Sequence, residues 1–206
     1  MPSPSPKFGS SPASADSLAA AIGANPGSGL SPYVPGALAE TIPAWAATTA
    51  TAPVTGDLYI WAVELGAGQS VGHVGFVTST QAGATLNHSW TALLDQNYTV
   101  LAASADAGSG AIGASTWFSY AMATAYTTTY TGLHYLGVMI SNNSGTQPTL
   151  CGSAAGPLIA MMTGTGHPVA QYGGQSSTSQ TTAPALGTVV TAPTATLAIP
   201  YLYCTA

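Results

Sequence analysis

The chain reads as an all-β protein, a β-sandwich of jelly-roll type preceded by an extended, Pro-rich arm, and three features of its 206 residues carry that expectation. Apolar residues make up 46% of the chain, while Gly, Ala, Ser and Thr dominate the rest and the helix-favouring Lys, Glu and Arg are nearly absent. Beyond Asp57 the sequence breaks into short runs rich in Val, Ile, Tyr, Trp and Thr, punctuated by Gly, Asn or Asp. No long helical period competes with them.

The first segment, residues 1–52, carries Pro2, Pro4, Pro6, Pro12, Pro26, Pro32, Pro35 and Pro43, a spacing that neither a long helix nor a sheet strand survives. It is expected to be an extended attachment arm, with at most one short helix where Ser14 or Asp16 caps SLAAAIGA, ending near Gly23. Leu30, Tyr33, Val34, Leu38, Ile42 and Trp45 give it more apolar character than a solvated linker needs. They predict contact with a partner or with the chain's own domain.

Residues 53–206 form the expected sandwich domain, of the size of one core of about 150 residues. Strands are read at DLYIWAVEL, SVGHVGFVT, HSWTALLD, TVLAAS, WFSYAMAT, GLHYLGVMI, PLIAMM, GTVV and TLAIP. In the first, Leu58, Ile60 and Ala62 share one face and Tyr59, Trp61 and Val63 the other. GLHYLGVMI is likewise apolar on both sides, so packing on both faces of a sheet is expected. The stretch from Gly164 to Thr188, rich in Gly, Ser, Thr and Gln, is expected to be an exposed loop.

Charge is scarce: charged residues are 3% of the chain, against about a quarter in ordinary soluble domains. Lys7 is the sole basic side chain, and the acids Asp16, Glu40, Asp57, Glu64, Asp95 and Asp106 all precede residue 107. Residues 107–206 therefore contain no Asp, Glu, Lys or Arg. A net charge of −5 with one lysine excludes nucleic-acid binding, which needs several cations on one face. A neutral Thr/Ser/Gly surface is instead expected to be shared with neighbouring subunits. MPSPSPKFGS is followed by no apolar secretory stretch, and no apolar run reaches ~18 residues, so neither conventional export nor a membrane span is predicted. The sequons at Asn87, Asn97 and Asn142 read as chance matches.

The block TGDLYIWAVELGAGQSVGHVGFVTSTQAGATLNHSWTALLDQNYTVLAASAD, followed by FSYAMATAYTTTYTGLHYLGVMI, resembles a β-sandwich module of actinobacteriophage virion proteins. The phrases TGDLYIWAVEL, HSWTALLD, LAASAD, ATAYT and GLHYLGVMI carry the likeness, which spans about residues 53–150. The resemblance implies a bacteriophage structural protein: a capsid decoration, head-fibre or minor tail protein on the particle surface, assembled in the host cytoplasm and without catalytic residues to transfer. Its implied partners are the major capsid or tail proteins of the same particle. Taken with the missing charges, it makes a homo-oligomer the expectation, a trimer the leading form. Host cell-surface glycan is a second candidate partner, recognised through exposed aromatics.

Each motif for chemistry has a bland competitor. Gly68, Gln69, Ser70, Val71 and Gly72 spell the G-x-S-x-G of a serine esterase, with Asp95 or Asp106 and then His134 or His167 in order downstream; the elbow needs a helix after Ser70, yet HVGFVT reads as a strand. Gly108, Gly110 and Gly113 spell G-x-G-x-x-G, but STWFSYAMATAY behind them is not helical and no acid follows Asp106, so no dinucleotide cofactor is expected. His73, His88, His134 and His167 lack ligand spacing, and no metal is expected. Asp95 and Asp106 sit close before Asn97 and Gly108 and read as turn residues rather than a glycosidase pair. Among the aromatics, Trp61 and Trp90 read as core, while Tyr130 and Tyr172, near turns, are candidates for exposed recognition. Cys151 and Cys204 are a candidate disulfide whose competing reading is two buried thiols. No enzyme, and no cofactor, is predicted.

Overall fold

The structure, a computed structural model, describes residues 34–108, 110–142, 145–154, 173–194 and 198–206. It is an all-β sandwich of antiparallel strands: β1 Ala37–Glu40, β2 Thr49–Thr51, β3 Leu58–Leu65, β4 Ser70–Val77, β5 Leu86–Asp95, β6 Val100–Ala103, β7 Trp117–Thr127, β8 Gly132–Asn142, β9 Leu150–Ala154, β10 Gly173–Gln175, β11 Ala198–Pro200 and β12 Leu202–Thr205. The lone helical turn among the described residues is a 3-10 turn at Ala44–Ala46. A four-stranded sheet has the order β1-β12-β4-β7, a five-stranded sheet β10-β3-β8-β5-β6, and a small third sheet β11-β9-β2.

The central pairings are nested. β3 pairs with β8, β4 with β7 and β5 with β6, as though one long hairpin had been rolled up until β5 met β8. That nesting is the jelly-roll principle with three strand pairs instead of four. It places β4-β7 in one layer and β3-β8-β5-β6 in the other. Trp61, Val63 and Leu65 from β3 and Leu136, Val138 and Ile140 from β8 meet Val71, Val74 and Phe76 of β4 across the interlayer core. The two-residue period puts the β3 and β8 sets on one face, and in β4 the register shift between Val71 and His73 brings Val71 to the face of Val74 and Phe76.

The opposite face of the five-stranded sheet is just as apolar. Leu58, Ile60, Trp90, Ala92, Leu94, Tyr135 and Met139 form a second core, which accounts for strands that are hydrophobic on both sides. Part of its cover is the stretch from Gly173 to Val190. This stretch starts as β10 on the β3 edge, where Leu58 N–H donates to Ser177 O and Gln180 N–H to Gly56 O. It ends on the far edge, where Val100 N–H donates to Thr188 O and Gly187 N–H to Val100 O. It delivers Ala183, between the two edges, and Val190, at the far one, onto the second core. The buried Asp57 carboxylate accepts from Gln175 Nε2 and helps hold this strap at its start.

The exposed loop expected at Gly164–Thr188 holds for much of its described part, where Thr178, Ser179, Thr181, Thr182 and 185–188 are exposed, but β10 pairs with β3 and backbone hydrogen bonds tie the stretch to both edges of the sheet. Composition reported the polarity of its side chains and could not report the pairing of its peptide groups. GTVV forms no strand beyond the bridge Thr99↔Val189, and the described part of TLAIP is β11. PLIAMM, the capped SLAAAIGA run, His167, Leu30, Tyr33 and Tyr172 lie outside the described residues.

Residues 37–51, expected to belong to the arm, contribute to the sheets. β1 adds to the four-stranded sheet against β12, and β2 pairs with β9. Val34 packs on Tyr201 and Tyr203, Leu38 joins the interlayer core, and Ile42 touches both clusters. Pro35 and Pro43 flank β1 without interrupting it, which is where an edge strand tolerates proline. Of the arm's apolar side chains that are described, Trp45 alone stands out in solvent, 73% exposed.

Candidate functional site

The sharpest polar constellation lies where β5 meets the loop after β6. His88 Nδ1 lies 2.5 Å from Asp106 Oδ2, the one ion pair among the described residues. The other oxygen, Oδ1, accepts from Ser89 N–H and from Gly108 N–H, both at 2.9 Å. Ala107 N–H donates to Ser89 O beside them. Partial burial pushes the Asp106 carboxyl up, but the bonds from His88, Gly108 and Ser89 outweigh it and hold the group below its ordinary value.

An Asp that grips imidazole Nδ1 leaves Nε2 pointing away, the arrangement used to orient a general base or a metal-bound histidine. What surrounds it differs from either. Ser89, next in the strand, turns to the other face and shares a 2.9 Å hydrogen bond with the Tyr120 hydroxyl. No group of three or more His, Cys, Asp or Glu among the described residues could hold a metal ion. Chemically the constellation is a latch: one carboxylate binds its loop to β5 through His88 and Ser89 and closes the loop on itself through Gly108 N–H. Sequence reasoning gave Asp106 its turn role and missed His88, eighteen positions away on another element.

The remaining histidines sit elsewhere. His134 is fully buried at the far end of β8, paired with Asp95, whereas His88 pairs with Ser141 at the opposite end of the same ladder. Its ring stacks on Tyr130, centroids 4.4 Å apart, and its Nδ1 lies 2.9 Å from Gly132 O. With the Nδ1 proton donated there, Nε2 is buried without a hydrogen-bond partner among the described residues. Burial therefore pushes the His134 pKa down, partly offset by the Gly132 bond and the charge of Asp95. His73, on β4, meets Ala206 O at 3.2 Å.

Both lowered groups carry the same sign. Stability from His134 is present above its ordinary value of 6.5 and declines as pH falls below it, because the folded state resists protonation. Stability from Asp106 persists until pH drops below 3.8 and is lost through its still lower folded value. Asp57, raised chiefly by burial, acts oppositely and contributes below its ordinary value. Denaturant midpoints should therefore fall on mild acidification, and His134→Phe, which keeps the stack on Tyr130, should flatten that first decline. An unchanged slope in the variant would assign the acid sensitivity to other groups.

The other sequence-predicted residues resolve as follows. Ser70 opens β4, opposite Thr127, and is followed by strand instead of helix; Gly68 before it is in a turn at φ +82°. Neither Asp95, which accepts from Asn97 and Thr99 N–H at 2.8 Å, nor Asp106 is directed at Ser70. Gly108 to Gly113 lies in the loop that bridges Ile112 to Gly83. Tyr130 is half-buried, its hydroxyl donating to Leu133 O and accepting from Gln96 N–H, so its ring is engaged internally instead of offered to a ligand. Cys151 and Cys204 are both free thiols. Cys151 lies in β9 beside Thr78 O, while Cys204 is sealed in β12, where burial pushes its thiol up to about 12. Besides Trp45, Trp117 reaches solvent, 48% exposed, resting edge-on against Tyr201 and tilted on Tyr203.

No family model, curated protein or solved structure matches this chain. Its function is therefore argued from its own residues.

Proposed function

We propose that the chain is a structural protein of a bacteriophage particle, displayed on the surface of the head or tail as a decoration, head-fibre or minor tail component. One observation carries the reading most directly. A 100-residue stretch, 107–206, contributes long strands to both layers of a sandwich without a single ionic side chain. A free-standing soluble domain relies on mixed surface charge to stay dispersed, whereas a subunit set among neighbours does not. The likeness of residues 53–150 to virion sandwich modules points the same way. In this reading the polar constellation at Asp106 serves rigidity, with the carboxylate holding a loop that water would otherwise loosen.

The test is mass spectrometry of purified particles from the phage that encodes the chain. Peptides of this protein should be recovered at a copy number comparable with other structural proteins and should persist through density-gradient purification. Recovery from infected cells but not from particles would overturn the proposal.

A further inference from the structure

We propose that the exposed edge of β7 between Trp117 and Ala121 is a self-association surface, at which two copies of this chain join their four-stranded sheets antiparallel about a two-fold axis. A strand at the side of a sheet presents unpaired N–H and C=O groups, and folded proteins blunt such edges with short strands, proline, charge, bulges or a covering segment.

Every other edge among the described residues is managed in this way. β1 has four residues with a register shift and ends on Glu40. β6 is covered by the Gly187–Val190 stretch, and β10 is extended by the bridge Gln175↔Thr194. β2 and β11 have three residues each, and β11 contains Pro200.

β7 differs. It is eleven residues long, with no proline and no charged side chain. From Trp117 to Ala121 it pairs regularly with β4, Val77 to His73. Past Ala121 it departs from β4 before pairing again at Tyr126, and within that gap Met122 bridges to Ser104. The regular stretch is thus satisfied on one side only among the described residues.

The side chains there are also half-covered. Phe118 and Tyr120 pack inward on Phe76, stacked at 5.4 Å and edge-on at 5.7 Å, yet both remain partly accessible at the open flank of the sandwich. Trp117, on the outer face, is 48% exposed.

A second copy fits this edge for reasons internal to the strand. An antiparallel two-fold centred on Ser119 sets Phe118 opposite Tyr120 of the other copy on the inner face, an aromatic cross-strand pair. It sets Trp117 opposite Ala121 on the outer face, large against small. No charge on the strand meets its own image, so self-pairing carries no like-charge penalty. The resulting interface is isologous and closes at two copies, in place of the trimer suggested by the sequence. This inference does not depend on the virion reading, and the two fail separately.

Sedimentation or light scattering of the full chain at tens of micromolar should give a dimer. Ser119→Lys, at an exposed position, sets two lysines opposite each other and should yield a monomer with unchanged far-ultraviolet circular dichroism. Ser119→Glu should do the same, and mixing the two variants should restore the dimer through opposite charges. A monomeric parent chain, or an oligomer indifferent to both variants, would overturn the proposal, as would a mixture that stays monomeric. If a charge at Ser119 prevents folding, cross-linking the parent chain through a Ser119→Cys substitution replaces it: a disulfide-linked dimer is expected, and its absence under oxidising conditions is disproof.

Discussion

Trp90→Ala is expected to remove about 3–5 kcal/mol of stability, the range for truncating a large buried aromatic. Total stabilities of domains are about 5–15 kcal/mol, so the variant should be unfolded or close to it at room temperature. Trp90 is fully buried in the second core, away from the interlayer core, among Leu58, Ile60, Tyr135 and Met139. The result is therefore a test of architecture. If the outer face of the five-stranded sheet lay open to water, truncating Trp90 would cost little. Trp90→Phe should be much milder, because it keeps most of the packing and removes an indole N–H that has no hydrogen-bond partner among the described residues. Urea unfolding of the three proteins decides it, and a midpoint for Trp90→Ala near that of the parent would disprove the second core.

The second large effect is at Gly75. A Cβ built there would fall far inside van der Waals contact of Phe118 O and of the Tyr203 ring. The reason is local: β4 runs between β12 and β7, and the Tyr203 side chain lies over Gly75 so that its hydroxyl can donate to Phe118 O at 2.9 Å. Gly75→Ala must move the ring and the strand, at a cost of about 1–3 kcal/mol for overpacking with roughly a further 1 kcal/mol for the displaced hydrogen bond. Since the ring is displaced already, Tyr203→Phe in the Gly75→Ala background should cost almost nothing, while Tyr203→Phe alone costs its hydrogen bond. A double-mutant cycle with additive losses would show that the two residues do not share this contact.

Much of the molecule was legible residue by residue. Trp61 and Trp90 read as core from their mid-strand positions, and both are buried. Asp95 read as a turn residue from the Gln96 and Asn97 that follow it, and it caps that turn. These features arise from local chemistry, which a short window contains. The His88–Asp106 pair, the internal role of Tyr130 and the open edge of β7 were not legible. Each depends on which strands lie side by side, and the same alternating pattern serves an edge strand as well as a central one.

By itself, then, the sequence determined the class of the protein: strand-length runs with a two-residue period, apolar on both faces, and a second half without ionic groups. Periodicity and composition are properties of neighbours along the chain, so they survive without a third dimension. Tertiary structure alone decided that residues 37–51 complete two sheets, that a polar stretch becomes the strap over a second core, and that the two cysteines fall on strands of different sheets and stay unbonded. Those outcomes turn on contacts between residues more than a hundred positions distant, Ala39 with Cys204 or Thr49 with Gly152. Pairing across such distances depends on how the rolled sheet closes, and no short window of residues encodes it.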